Sequence, residues 1–297
     1  MKFNQFILGI CLASLLASCN SGNDKADGYG NFEATETVIS SENNGKLLAF
    51  NVEEGMVLTQ NQVVGYIDTI PLHLKKEQLR TSKEVIYAKS KNVLSQISVL
   101  NAKLKTANIS KNRVENLIKE NAGTQKQLDD VTGEIDVLKQ QLRSVETQNA
   151  PIINEIKSID VQLQQLEDQI SKSIITNPLQ GTVLVKYAEA NEITSFGKPL
   201  YKIADLTNME LRVYLSETQL PNIKIGEKVT VKIDTENGMK SYEGVVSWIS
   251  SEAEFTPKII QTKEERVNLV YAVKIDVKND GSLKIGMPAE MWISTKN

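Results

Sequence analysis

Residues 128–170 read LDDVTGEIDVLKQQLRSVETQNAPIINEIKSIDVQLQQLEDQI. Within this stretch Leu128, Val131, Ile135, Leu138, Leu142, Val145, Asn149, Ile152, Ile156, Ile159, Leu163, Leu166 and Ile170 follow in alternating steps of three and four, and only Asn149 is polar. That spacing lays the side chains along one narrow stripe of an α-helix, the pattern two helices need to wrap around each other. A weaker stripe precedes it, through Leu79, Ile86, Val93, Ile97, Leu100, Leu104, Ala107, Val114 and Ile118. Between the stripes lies Glu120-Asn121-Ala122-Gly123-Thr124, with a glycine suited to ending one helix and a threonine suited to capping the next. The reading is an antiparallel helical hairpin with arms over 72–120 and 124–172. Equal arms return the chain to its point of departure, and at 1.5 Å per residue each spans roughly 70 Å. Pro151 is expected to kink or interrupt the second arm near Gln148-Asn149-Ala150-Pro151. Asn149 then either sets the register of the pair or belongs to the bend.

On both sides of the hairpin the texture is that of short strands. The first flank reads Gly45-Lys46-Leu47, then Val52-Glu53-Glu54-Gly55-Met56-Val57, then Val64-Gly65-Tyr66-Ile67. The second reads Gly181-Thr182-Val183, then Ala188-Glu189-Ala190-Asn191-Glu192-Ile193, then Leu200-Tyr201-Lys202-Ile203. Each is a glycine, a β run, an acidic turn and another β run ending in isoleucine. Neither half is long enough to bury a core alone. Paired, they make one small β sandwich with the hairpin inserted between its halves. Further on, Glu210–Leu215, Val229–Ile233, Gly244–Ile249 and Tyr271–Val277 alternate apolar and polar residues, which suits a small barrel.

Composition narrows the function. A net charge of -3 and 5% aromatic residues offer neither the basic stripe nor the stacking set of a nucleic-acid binder. Both cysteines, Cys11 and Cys19, lie in the first twenty residues, so the folded part is expected to hold no disulfide and no cysteine metal site. His73 is the sole histidine and is expected on the hairpin surface near a helix start. No glycine-rich phosphate loop precedes a helix, and acidic pairs such as Asp129-Asp130 and Glu264-Glu265 suit solvated faces. No enzyme and no cofactor are expected.

The N-terminus reads as an address. Lys2 precedes the apolar run Phe6–Ala13, and small residues lead to Leu16-Ala17-Ser18-Cys19. This is the layout of a secretory signal, and the apolar run is short for a spanning helix. Leu-Ala-Ser-Cys resembles the bacterial lipobox, which implies lipidation at Cys19. A polar, glycine-containing tether follows from Asn20 to Gly28. The alternative is an ordinary signal peptide or an uncleaved anchor. The mature chain is expected beyond the cytoplasm, lipid-tied to a membrane, with the inner membrane favoured.

A split β sandwich, an inserted hairpin and a trailing barrel resemble the periplasmic adaptor subunits of Gram-negative efflux and secretion systems, the membrane fusion or HlyD-like family. The resemblance covers nearly all of the mature chain. It implies a lipoproteinsignal peptide over 1–18, a tether and lead-in strand over 19–37, and a discontinuous lipoyl-like domain over 38–70 and 174–204. It also implies a coiled-coil hairpin over 71–173 and a β-barrel domain over 205–297. Ile175–Val183 is similar to the second-half signature of the lipoyl-like domain, and Leu283–Glu290 resembles the close of the barrel. Phe255-Thr256-Pro257 and Gln261–Arg266 look like the branch linked to ABC transporters. The chain stops just after the barrel, with no segment for a membrane-proximal domain, which also favours an ABC-type partner over a proton-driven pump.

At the hairpin tip the family often carries Arg, then Leu four positions on, then Ser seven positions further. Arg113, Leu117 and Thr124 have that spacing, with Thr for Ser, and Leu128-Asp129 stands where an aromatic–acid pair is common. The resemblance assigns Arg113, Leu117, Thr124 and Asp129 to an outer-membrane channel of the TolC type. Arg brings planar donors, Leu an apolar knob, and Thr a hydroxyl that also caps the second helix. The implied function is an adaptor bridging an inner-membrane transporter and that channel, self-associated as a hexamer. Two alternatives stand beside it. One is a structural coiled-coil lipoprotein without a transport role. The other is a lipoyl or biotinyl carrier, although the turn that would hold its modified lysine is replaced by Asp68-Thr69-Ile70-Pro71, and Lys75 and Lys76 fall on helix surface.

Overall fold

The computed structural model describes residues 25–236, 238–255 and 269–293. In chain order its elements are β1 (Gly28–Glu33), β2 (Glu36–Ser40), β3 (Gly45–Phe50), β4 (Val57–Leu58), β5 (Val63–Ile67), α1 (Ile70–Lys119), α2 (Gln125–Ser171), β6 (Ile174–Thr176), β7 (Gly181–Lys186), β8 (Ile193–Thr194), β9 (Pro199–Ala204), β10 (Asn208–Ser216), β11 (Lys228–Thr235), β12 (Gly238–Ile249), β13 (Glu254–Phe255), β14 (Leu269–Lys278) and β15 (Pro288–Ile293). The fold is mainly β, with one long helical hairpin and a barrel. It divides into two compact units, Val38–Ile203 and the remainder.

In the first unit, two four-stranded sheets, ordered β2-β9-β7-β4 and β6-β5-β3-β8, enclose one core. Strands from before the helices pair with strands from after them: Val57 lies opposite Thr182, Gly45 opposite Thr194 and Val63 opposite Thr176. The core mixes both halves in the same way, with Leu47, Leu58, Val64 and Ile67 against Val183, Leu200, Tyr201 and Ile203. Asn177 stitches the halves. Its amide donates to the Thr59 carbonyl at 2.8 Å and to that of Leu179, and its side-chain oxygen accepts from the Tyr201 hydroxyl at 3.0 Å. Its backbone exchanges bonds with Asn61 and Gln62. A fully buried amide survives only with its hydrogen bonds made, and here they are. Burial pushes the Tyr201 hydroxyl up to about 12.

The helices leave from β5 and return into β6. The Asp68 carboxylate accepts from the Ile70 amide at 2.9 Å, and Pro71 sits in the first turn, where its missing N–H is no loss. At the return, Asn43 donates to the Ser173 hydroxyl at 2.9 Å and to the Gln169 carbonyl, tying the end of α2 to the sheets.

The second unit is a closed barrel. Its strands run β10-β1-β15-β11-β12-β14, and β14 returns to β10 through nine paired residues from Asn208↔Lys278 to Ser216↔Val270. β13 adds to β14 outside the ring. Inward alternation places Leu211, Val213, Leu215, Val231, Ile233, Ile275 and Met291 in one core. This barrel is not built from the C-terminal segment alone. The lead-in strand expected within 19–37 is a stave, β1, inserted between β10 and β15. Phe32 fills the core from it, and Gly30 is pressed so close to β10 that a Cβ would lie 1.8 Å from the Arg212 carbonyl oxygen.

Candidate functional site: the hairpin and its tip

The two helices meet along the stripes read from sequence. Every stripe position of α2 from Leu128 to Ile170 is buried or half-buried. The weaker stripe of α1 is completed by Ser90, buried midway between Ile86 and Val93. The Ser90 hydroxyl donates to the Asn149 side-chain oxygen at 3.0 Å, so the two polar seam residues face each other across the hairpin. Asn149 therefore has a polar partner across the seam, the arrangement a register-setting residue requires. A search for apolar residues passes over Ser90; the unbroken three-and-four spacing of 86, 90 and 93 would have found it. Lys76–Glu167 at 2.8 Å and Lys83–Asp160 at 2.5 Å bridge the helices nearer the sheets, and Lys76 holds the Glu167 carboxyl below its usual range.

The expected interruption at Pro151 does not occur: α2 runs unbroken from Gln125 to Ser171. Pro151 cannot donate to the Thr147 carbonyl, but it is exposed and lies off the seam, so its ring meets no partner helix. Val145, Asn149, Ile152 and Ile156 stay on the stripe on both sides of it, and packing against α1 carries the helix through the lost bond.

At the tip, α1 ends in a 6→1, 5→2 pair of bonds: the Ala122 amide donates to the Leu117 carbonyl at 2.8 Å and the Asn121 amide to that of Ile118 at 3.0 Å. The left-handed residue of this motif is Asn121, with φ 57°, so the helix-ending role expected of Gly123 belongs to Asn121. Gly123 serves close approach instead. A Cβ there would lie 3.1–3.2 Å from Ile118 and Leu117. Thr124 caps α2 as expected. Its hydroxyl accepts from the Gln127 amide at 3.3 Å while the Gln127 side chain accepts from the Thr124 amide at 2.9 Å, a reciprocal capping box.

The residues assigned to a channel surround this turn and all are exposed. Arg113 and Leu117, four apart, share one flank of α1, beside the seam residues Val114 and Ile118. Leu117 is a 39% exposed apolar knob. The Asp129 carboxylate accepts from the Gln125 side-chain Nε2 at 2.8 Å in the first turn of α2. By heptad position it lies on the other flank, so the four residues do not form one cluster.

Around the middle of the hairpin a shallow cavity of about 520 Å³ is lined by Gln96, Val99, Leu100, Gln141, Ser144 and Val145. His73 and Lys75 are exposed near the start of α1. Among the described residues there is no group of three or more potential metal ligands, and no helix is long and apolar enough to cross a membrane. Cys19 lies outside the described residues.

No protein-family model matches the chain. It is 25% identical over 291 residues to a UPF0194 membrane protein of Citrobacter koseri, covering 90% of this chain and 88% of that one. To the UPF0194 membrane protein YbhG of Salmonella gallinarum it is 24% identical over 315 residues, 95% of either chain. Among solved structures, MacA from Actinobacillus actinomycetemcomitans shares the fold over 89% of this chain and 76% of its own, with a TM-score of 0.52 and 19% identity. The chain is thus similar over nearly its whole length to UPF0194 membrane proteins, and it shares the fold of MacA.

Proposed function

We propose that this chain is a membrane fusion protein, a periplasmic adaptor that bridges an inner-membrane transporter, of ABC type, and a TolC-like outer-membrane channel. The observation that carries the reading is the hairpin itself. Two helices of 50 and 47 residues, held by one narrow seam, extend a tight, doubly capped turn that presents Arg113, Leu117 and Thr124 to solvent. A rod of roughly 70 Å made from so thin a seam is a spacer with a contact end, not a scaffold for a pocket. Chemistry is left to the transporter. The segment around Phe255-Thr256-Pro257 supports the ABC assignment by its resemblance to that branch.

In this reading Cys19 carries the lipid that holds the chain at the inner membrane, the sheets inserted by the hairpin form a lipoyl-like domain, and six copies assemble around the transport path. No enzymatic step is assigned to the chain. Co-purification from cross-linked membranes, with Leu117→Asp beside the wild type, tests the bridge. Leu117 is exposed, so the variant should fold normally, stay anchored, lose the outer-membrane partner and lose export. Export and channel capture at wild-type levels with Leu117→Asp would overturn the tip assignment. Absence of any transporter from the wild-type complex would overturn the bridge.

A further inference from the structure

We propose that the outer wall of the barrel carries a binding site for an amphipathic organic cation. The register of four neighbouring strands sets Tyr214, Tyr29, Glu290 and Lys232 side by side in one row across β10, β1, β15 and β11. With Asp234 and Met239 they line a cavity of about 620 Å³, inside the range of small-molecule sites. Its apolar surface is unusual for a sheet face turned to solvent: Tyr29 is 56% exposed and Met239 47%.

Several carboxylates on the neighbouring wall are ion-paired; among the described residues those of this cavity are not. Elsewhere on the barrel exterior Glu210 pairs with Lys274, Glu243 with Lys228, Glu254 with Arg212 and Asp280 with Lys240. Among the described residues Glu290 and Asp234 have no ion pair. Glu290 has a cation directly opposite in register, Lys232, and does not use it. The Lys232 amine instead sits 4.1 Å over the Trp292 ring. The cavity therefore offers two carboxylates and the open Tyr29 ring, with Lys232 turned onto Trp292 and the Arg212 guanidinium lying 5.8 Å from the centre of the Tyr214 ring. Carboxylates and π faces both attract positive charge, while the rings and Met239 accept an apolar body. An anion of the same shape meets Glu290 and Asp234 as like charges. The site does not depend on the adaptor reading: a chain with no transport partner would keep it.

Isothermal titration of the full chain with tetraphenylphosphonium and with tetraphenylborate, ions of matched shape and opposite charge, tests the proposal. The phosphonium is expected to bind at one saturable site and the borate at least about tenfold more weakly. Glu290→Gln and Tyr29→Ala, both outward-facing, are each expected to weaken phosphonium binding by about tenfold with the circular dichroism and melting temperature unchanged. Glu210→Gln, which removes a carboxylate already paired elsewhere on the wall, should leave it unaltered. Equal binding of the two ions, no saturable phosphonium binding, or a folded Glu290→Gln chain with wild-type affinity would each overturn it.

Discussion

Leu211 in the barrel has no exposed surface, and neither have Val213, Leu215, Val231 and Ile275 around it. In the hairpin only four residues of each helix are buried, and Leu138, one of them, still keeps 8% exposure. The barrel closes its core on all sides, whereas the hairpin covers a stripe one side chain wide. Stability in the first is concentrated in a few positions; in the second it is spread thinly along the arms. That difference suits the two parts to different work, since a thinly held rod tolerates change at its end without unfolding the body that carries it.

The largest effect should come from the barrel. Leu211→Ala leaves a cavity with no way to collapse and is expected to cost about 4 kcal/mol, while Leu138→Ala opens onto solvent and should cost about 2 kcal/mol or less. Denaturant melts of the two variants check this, and equal costs would remove the contrast. In the sandwich, Asn177→Ala strips partners from two carbonyls and from the Tyr201 hydroxyl, and is expected to cost about 3 kcal/mol. The same site predicts alkaline behaviour. Tyr201 ionises in the unfolded chain near the ordinary tyrosine value and in the folded chain only at about 12, so its contribution is fully present below the ordinary value. It is lost as pH rises from there towards 12. Tyr201→Phe should flatten that part of the stability–pH curve, measured by melting temperature.

The hairpin was largely legible because its signal is local. A heptad stripe is a repeat over neighbouring residues, and the helices observed over Ile70–Lys119 and Gln125–Ser171 begin and end within two residues of the arms drawn from it. What escaped depends on contacts distant in sequence. β1 finds its place between β10 and β15, whose residues lie far along the chain, and nothing in Tyr29-Gly30-Asn31-Phe32 announces those neighbours. The choice of Asn121 over Gly123 as the left-handed residue turns on which of them must pack against Ile118, a fact of three dimensions. Pro151 does not interrupt α2, because the local rule for proline is outweighed by seam contacts on either side. At the tip, Thr124 was legible through its capping pattern. The separation of Asp129 from Arg113 and Leu117 needed both the turn geometry and the heptad phase together.

A smaller effect tests whether the thin seam carries specificity rather than strength. Ser90→Ala leaves the Asn149 amide half-buried without its partner and should cost about 1 kcal/mol. Replacing both, Ser90→Ala with Asn149→Leu, substitutes apolar contact for the bond and is expected to restore wild-type stability or exceed it. A double-mutant cycle by thermal melting reads the coupling. If the pair sets register, the restored variant should also give a second, shifted set of cross-links between cysteines introduced on exposed faces of the two arms. One set of cross-links, at wild-type positions, would assign register to the turn and the salt bridges instead.

The smallest global effect belongs to the tip and bears most directly on the comparison. Thr124→Ala removes the hydroxyl half of the capping box, while the Gln127 side chain can still accept from the residue 124 amide. Because the cap is exposed and the seam beyond Leu128 holds α2, the cost should be about 0.5 kcal/mol, at the low end for a cap. Locally the consequence is larger. The first turn of α2 should fray, and the amides of Gln127 and Leu128 should exchange faster with deuterium while those of Ile159 and Leu166 stay protected. Faster exchange along the whole of α2 would mean that the hairpin opens as one unit, and the picture of a rod held independently along its length would have to give way to an all-or-none pair of helices.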